Sequence, residues 1–338
     1  MSRYFRPLVS FDAARPAQAL PLAGGAGWFD RAECLERNGS RGLVPVSEMP
    51  EAVIEALTRP RPDIAGVPMH RAALMGILNV TPDSFSDGGR FLDASDALAQ
   101  ARSLIDGGAD ILDIGGESTR PGADFVPVDE EIARTTPVIA ALAGQIGVPI
   151  SIDTRKAGVA QAALDSGAAM LNDVSALSHD AEMAGVAAQS DAPICLMHAQ
   201  GDPKTMQDQP RYENVLLDVY DYLAERIAVA EQAGISRQRI IVDPGIGFGK
   251  TLDHNLILLR NISLFHGLGC PVLVGASRKK FIGTISGAQD AAARMPGSVA
   301  VALHAISQAV QIVRVHDIVQ TRQAVRLWQA IEGQYDGT

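Results

Sequence analysis

Eight short apolar runs punctuate the chain from residue 72 onward: ALMGILNV, ADILDIGG, VPISIDT, AAMLNDVS, APICLMH, RIIVDPG, CPVLVGAS and VQIVRVHD. Each consists mainly of Ile, Leu, Val, Met or Cys, without the alternating polar positions of a half-exposed strand. This is the pattern of a strand buried on both faces. Between the runs stand longer stretches, among them SDALAQARSLIDGG, DEEIARTTPVIAALAGQ, NVLLDVYDYLAERIAVAEQAG and GSVAVALHAISQAV. Their apolar positions recur with helical spacing. Strands alternating with helices over about 260 residues predict a parallel (β/α)8 TIM barrel in the α/β class. The competing architecture, a doubly wound open sheet, usually has fewer strands and a glycine-rich dinucleotide turn after its first strand. Here the first strand instead runs into Asn79-Val80-Thr81-Pro82.

Residues 1–70 break this rhythm, being rich in Pro, Ala, Gly and Arg. GGAGWFDRAECLERNG reads as a hairpin, MPEAVIEALT as a short helix and RPRPDIAGVP as a linker. We assign 1–70 to an N-terminal extension, a small appendage without evident chemistry, and 71–332 to the barrel.

Composition narrows the function class. With 338 residues and 47% hydrophobic content the chain is large enough to bury a core without staples. The cysteines, Cys34, Cys195 and Cys270, are odd in number and far apart, so they are expected as packing residues in a reducing compartment. No signal-peptide pattern or membrane-length apolar run occurs, so a cytoplasmic protein is expected, without a membrane partner. A formal net charge of −10 argues against nucleic acid as a partner and requires that any anionic ligand be met by locally placed cations.

Polar residues stand at or just beyond seven of the eight strand ends: Asn79, Asp113, Asp153, Asn172 with Asp173, His198, Asp243 and His316. The remaining strand leads to Ser277-Arg278-Lys279-Lys280. Any one of these could cap the next helix, and His198 could be a satisfied interior histidine. Seven around one rim are poorly explained by capping, because buried polar groups cost free energy unless a ligand satisfies them. In a barrel that rim is where active sites lie. Asp113, Asp153, Asn172 and Asp243 suit a flat heterocycle with alternating donors and acceptors. Lys279, Arg314 and His316 suit phosphate. Asn79 offers a hard oxygen, as Mg2+ shared with substrate phosphates would need. Three glycine-bracketed loops leave the rim: TPDSFSDGG (81–89), GGESTRPG (115–122) and DPGIGFGK (243–250). The last is not a phosphate-binding P-loop, since the Gly-x4-Gly-Lys-Ser/Thr spacing fails.

Taken in order, NVTPDSFSDGG, GGESTRPG, IDTRK, NDVSAL, CLMHAQGDPKTMQ, DPGIGFGK, SRKKFIG and IVRVHD closely resemble the dihydropteroate synthase family, over residues 72 to 330. The resemblance implies a pterin-binding barrel, usually a homodimer. Such enzymes join 6-hydroxymethyl-7,8-dihydropterin diphosphate to 4-aminobenzoate with Mg2+, releasing diphosphate in folate synthesis. It implies that the pterin edge is held by Asp113, Asp153, Asn172, Asp243 and Lys279. Diphosphate and Mg2+ would engage Asn79, Thr119, Arg314 and His316, with Asn79 as metal ligand. The aminobenzoate would lie among Phe85, Arg120, Pro121, Phe248, Ser277 and Lys279. Asp153, Asp243, Lys279, Arg314 and His316 would carry the catalysis, and the loops 80–89 and 115–122 would close as a lid with Phe85 over the arylamine. The site motifs show no departure from the family; the long extension is the one departure.

Two other readings compete. A pterin-binding barrel passing a methyl group from a reduced folate to a corrinoid protein would share the carboxylates but has no need of the SRK and RVHD cations or of Phe85. A paralogue that binds pterins without catalysis would be expected to lose loop residues first, and both loops are complete in the sequence. Diphosphate release separates all three.

Overall fold

A computed structural model of the chain describes residues 2–80, 94–118, 125–201, 206 and 209–334. Each expected apolar run forms a strand: β6 (Ala73–Asn79), β7 (Ile111–Gly115), β8 (Ile150–Asp153), β9 (Met170–Asp173), β10 (Ile194–Met197), β11 (Ile240–Asp243), β12 (Leu273–Val274) and β13 (Ile312–Val315). They form one parallel sheet of eight strands, ordered β11-β10-β9-β8-β7-β6-β13-β12. A parallel bridge between Val242 and Val272 joins the two outer strands and closes the ring. The four anticipated helices are α2 (Ala94–Asp106), α3 (Val128–Leu142), α6 (Val215–Gln232) and α9 (Met295–Ser307). Between them come α4 (Ala157–Asp165), α5 (Met183–Gln189), α7 (Leu252–Arg260) and α8 (Lys280–Ser286), and α10 (Ile318–Ile331) ends the series. The barrel expected from the alternation is the fold observed.

Strand periodicity divides the apolar residues into two cores. Outward-facing side chains such as Leu74, Leu112, Ile152, Leu171, Leu196 and Val242 pack under the helices. Inward-facing Met75, Ile111, Met170, Cys195, Ile241, Leu273 and Ile312 fill the barrel near the strand beginnings. Side chains alternate with period two. One step further along the same inner face therefore come Asp113 after Ile111, Asn172 after Met170, Asp243 after Ile241 and Arg314 after Ile312. An apolar layer thus forms the floor of a polar one.

The segment RPRPDIAGVP is not the linker its composition suggests. Ile64 and Val67 bond to each other across a tight turn (2.9 and 2.8 Å). Together with Met69 they are buried and join the inner core, plugging the N-terminal mouth of the barrel. Pro and Gly read as loop punctuation, but the apolar residues they bracket close the barrel floor.

The extension before it is folded. Strands β1 (Tyr4–Pro7), β4 (Arg31–Glu36) and β5 (Gly39–Pro45) make an antiparallel sheet, with the β4–β5 hairpin turning at Arg37-Asn38. Before β4, β2 (Leu20–Pro21) and β3 (Trp28–Phe29) form a separate two-stranded ladder. With α1 (Glu51–Thr58) these elements bury their own cluster, including Phe5, Leu22, Phe29, Val46 and Leu57. Tyr4 donates to Asp221 on α6 (2.9 Å), and Ser263 donates to the Pro7 carbonyl (2.9 Å). All three cysteines are buried and unpaired. No helix among the described residues is long and apolar enough to cross a membrane.

Arg61 fastens the extension to the barrel. Its buried guanidinium donates to the carbonyls of Arg59 (3.0 Å), Ala56 (2.9 Å) and His266 (2.9 Å), capping the end of α1 and a helical turn of the barrel together. Burial lowers its pKa to about 10, so it stays charged at neutral pH. Arg61→Met leaves these carbonyls without their donor and is expected to cost about 2–4 kcal/mol. A lowered urea midpoint checks this; an unchanged midpoint contradicts the pinning role.

Candidate active site

The polar layer is organised by one cation. Arg314 on β13 reaches across the barrel and donates through Nε to Asp113 Oδ2 (2.5 Å) and through Nη2 to Asp153 Oδ2 (2.7 Å). Asn172 Nδ2 donates to the same Asp113 oxygen (3.1 Å). The register explains the convergence: Asn79 pairs with Gly115, Gly115 with Asp153, and Asp153 with Asn172, so these strand ends meet at neighbouring positions. The second carboxylate oxygens, Asp113 Oδ1 and Asp153 Oδ1, are buried and have no hydrogen-bond partner among the described residues. Two such buried acceptors are a demand for donors.

Burial pushes the Asp153 carboxyl up to about 7, against the pull of Arg314 and with the help of Asp113, Glu131 and Asp173. Burial also raises Asp243, opposed by Lys279, the Gly245 amide, Lys250 and Arg314. Burial works against the charge of Arg314, but Asp113 and Asp153 outweigh it and its pKa is raised.

Beside this group the loop after β11 carries a second arrangement. Asp243 Oδ1 accepts from the Gly245 amide (2.7 Å). Lys279 Nζ donates to the Ile246 carbonyl and lies 4.4 Å from the centroid of the Phe248 ring. Burial lowers the pKa of Lys279 to about 7, with Asp243 opposing and Arg314 assisting. Ser277 Oγ accepts from the His316 amide (3.2 Å) and lies 3.0 Å from His316 Nδ1. Arg278 takes a left-handed conformation (φ 57) that turns the chain between Ser277 and Lys279. For a residue with a Cβ this costs about 1–2 kcal/mol. The turn is held by the Ser298 hydroxyl, which accepts from the Arg278 amide (2.8 Å), and by Asp317, paired with its guanidinium. Arg278 is therefore engaged internally, whereas Lys279 enters the site.

Asn79 ends β6 half-buried. A Cβ on Gly115 would lie 3.8 Å from Asn79 Oδ1 and 3.7 Å from Asp153 Oδ2, so both oxygens border the end of β7. Among the described residues no three His, Cys, Asp or Glu side chains cluster as a metal cage. A single amide oxygen without such a cage fits Mg2+, which keeps waters and takes further oxygens from substrate phosphates. Phe85, Thr119, Arg120 and Pro121 lie outside the described residues, as does most of the anticipated lid.

Some strand-end residues serve the scaffold instead. Asp173 Oδ1 and Oδ2 accept from the Ser175 and Leu177 amides (2.8 and 2.7 Å), shaping the NDVSAL turn. His198 is buried beside Lys250. Two groups escaped the sequence reading. Glu117 accepts from the Val126 amide (3.1 Å) and pairs with Arg155 and Lys156, while Lys156 also pairs with buried Glu131 (2.6 Å). Lys250 and Asn255 are buried below the β11 loop. The sequence reading assigns Arg314 to phosphate; in the structure its Nε and Nη2 donate to Asp113 and Asp153. The one available signal was that Arg314 shares the inward phase of Ile312.

A family model described as "Pterin binding enzyme" matches residues 75–316. The dihydropteroate synthase of Neisseria meningitidis serogroup C is 50% identical over 266 residues, spanning 78% of this chain and 94% of that relative. The structure of Xanthomonas albilineans dihydropteroate synthase with 4-aminobenzoic acid superposes with a TM-score of 0.76 at 45% identity, covering 81% of this chain and 98% of that one. Its complex with 7,8-dihydropteroate superposes at 0.73 and 42% identity, covering 81% and 99%. A parallel barrel with buried carboxylates at its C-terminal rim is thus, here, a pterin-binding enzyme of the transferase class. The chain belongs to the dihydropteroate synthase family.

The two shifted groups set a pH dependence. Asp153 is expected to work as the carboxylate and Lys279 as the ammonium, so kcat/KM should rise with pH as Asp153 ionises and fall as Lys279 loses its proton. Both limbs lie near pH 7. Because Asp153 holds its proton more tightly folded than unfolded, folding stability falls as pH rises from the ordinary carboxylate range through about 7. Lys279→Arg, whose guanidinium does not titrate, should keep the acid limb and lose the alkaline one; an alkaline limb that survives contradicts the assignment.

Proposed function

We propose that this chain condenses 6-hydroxymethyl-7,8-dihydropterin diphosphate with 4-aminobenzoate, giving 7,8-dihydropteroate and diphosphate. The observation that carries the reading is the pair of buried oxygens on Asp113 and Asp153 that no described residue satisfies, beside the Lys279–Phe248 contact. The first suits the N–H edge of a pterin, the second an aromatic amine with a carboxylate. Relatives solved with 4-aminobenzoic acid and with 7,8-dihydropteroate support the same pair of substrates.

In the proposed mechanism the C–O bond to diphosphate breaks first and leaves a pterin-methyl cation. Asp113, Asp153, Asn172 and Asp243 hold the ring edge. The buried carboxylates favour the cation more than the neutral substrate, which makes them transition-state-weighted interactions. The arylamine then forms the C–N bond and gives up its proton. No side-chain nucleophile is needed, so catalysis is mostly orientation and charge. Lys279 and Phe248, with Ser277, would flank the aminobenzoate. His316 would meet the leaving diphosphate, as would the donors of Arg314 that are not given to Asp113 and Asp153. Asn79 would hold Mg2+, which when bound would supply charge stabilisation to the leaving diphosphate. Phe85, Thr119, Arg120 and Pro121 complete the proposal from the sequence.

We further propose a cytoplasmic homodimer. The exposure of Leu327 (63%) and Ile331 (73%), four residues apart on α10, supports an apolar contact there.

The test is diphosphate release on mixing the protein with pterin diphosphate and Mg2+, with and without 4-aminobenzoate. Release that depends on the arylamine and yields dihydropteroate is expected; pterin binding without release sinks the reading in favour of a non-catalytic paralogue. Asp153→Asn is expected to lower turnover by about 10²–10³-fold. It should leave the melting temperature unchanged or higher, since a buried carboxylate is removed.

A further inference from the structure

Lys250 ends DPGIGFGK, between Gly249 and Thr251, where Thr251 caps α7. A lysine at a helix start ordinarily points to water, yet this one is 3% exposed. Its amine nitrogen donates to the Phe248 carbonyl at 2.9 Å and lies 2.9 Å from His198 Nδ1 and 3.4 Å from the His198 carbonyl. Burial lowers its pKa well below the ordinary lysine value, with Asp243 opposing, and burial with Lys250 alongside lowers that of the His198 ring to about 2. Tyr222 packs edge-on against that ring at 4.8 Å.

The rest of the loop is tied down group by group. The Gly247 amide donates to Asn255 Oδ1 (2.6 Å), and the Gly249 carbonyl accepts from Tyr212 (2.8 Å). Gly245 and Gly249 have positive φ (67 and 61), and their absent Cβ atoms would fall 1.8 Å from the His198 carbonyl and 2.5 Å from the Gln200 carbonyl. The loop therefore lies directly on the end of β10, and Lys250 is its donor to the backbone of Phe248.

We propose that Lys250 is a positioning residue that fixes the Phe248 backbone so that the ring stands against Lys279, shaping the aminobenzoate side of the site. The inference rests on the functional reading above for what that side binds. Burying a lysine amine for packing alone is a poor solution, because an apolar side chain of similar volume avoids the cost of desolvating it. What methionine cannot supply is the hold on the Phe248 carbonyl.

The experiment is a double-mutant cycle of Lys250→Met and Phe248→Ala, read as steady-state kinetics in both substrates. Lys250→Met is expected to raise KM for 4-aminobenzoate by about tenfold and to leave KM for the pterin diphosphate within about twofold. In the Phe248→Ala background the same change should add less than about twofold, since a residue acting through Phe248 has nothing left to position. Lys250→Gln, which keeps a donor, should recover part of the loss. Equal effects on both substrates, or full additivity with Phe248→Ala, overturn the proposal. A crystal structure of Lys250→Met, or of Lys250→Gln if the first fails to fold, decides independently of turnover. A Phe248 ring still about 4.4 Å from Lys279 Nζ in Lys250→Met, or a Phe248 carbonyl no longer held by the glutamine in Lys250→Gln, refutes the positioning role. Absence of arylamine-dependent release by the wild type would count against the functional reading alone.

Discussion

The guanidinium of Arg314, held between Asp113 and Asp153, is the interaction on which the site depends. Two carboxylates in a barrel interior repel each other and lose their hydration, and on their own they would take up protons. Arg314 permits negative charge to persist there while occupying one oxygen of each. The two oxygens left over, Asp113 Oδ1 and Asp153 Oδ1, are buried without a partner among the described residues. The protein thus holds an electrostatic deficit that hydrogen-bond donors from a flat ring can fill. Part of the folding free energy is given up for this, as active sites commonly require.

The barrel makes such a layer affordable. Strands of period two place apolar Ile111, Met170, Ile241 and Ile312 immediately below Asp113, Asn172, Asp243 and Arg314, so water is excluded from beneath. Ile64, Val67 and Met69 seal the same floor from outside the strands. A cavity of about 610 Å3 lies at this sealed end between the extension and α10, lined by Phe11, Arg71, Arg326 and Trp328 among others. A cavity of that volume does not mark the polar rim. The rim is marked instead by unpaired polar atoms and shifted ionisations.

Much of this was legible in the chain. The runs ending in Asp113, Asp153, Asn172 and Asp243 revealed both the strands and the polar layer at their ends, because apolar phase and polar terminus occur in one stretch. The plug could not be read, since RPRPDIAGVP carries turn residues whose apolar neighbours find their partners only after eight strands close. That Arg314 also pairs with Asp113 and Asp153 could not be read, because pairing across a barrel leaves no local trace. Lys250 was hidden for a similar reason: its acceptors come from β10 and from its own loop, and nothing in GFGK says that the amine turns inward. Sequence spacing reports the face on which a side chain lies; it does not report which charge awaits it on the opposite wall.

The most direct measurement of the central claim is the proton balance of pterin binding. Calorimetric titration with 6-hydroxymethyl-7,8-dihydropterin at about pH 6.5, in buffers of different ionisation enthalpy, reads protons gained or lost per ligand bound. Donors arriving at the unpaired oxygens should pull the raised carboxyl of Asp153 down and release a substantial fraction of a proton, and Asp153→Asn should abolish the release. Binding with no proton exchange, or with uptake, would mean that the buried carboxylates are not what the ring meets, and the account built on Arg314, Asp113 and Asp153 would fail.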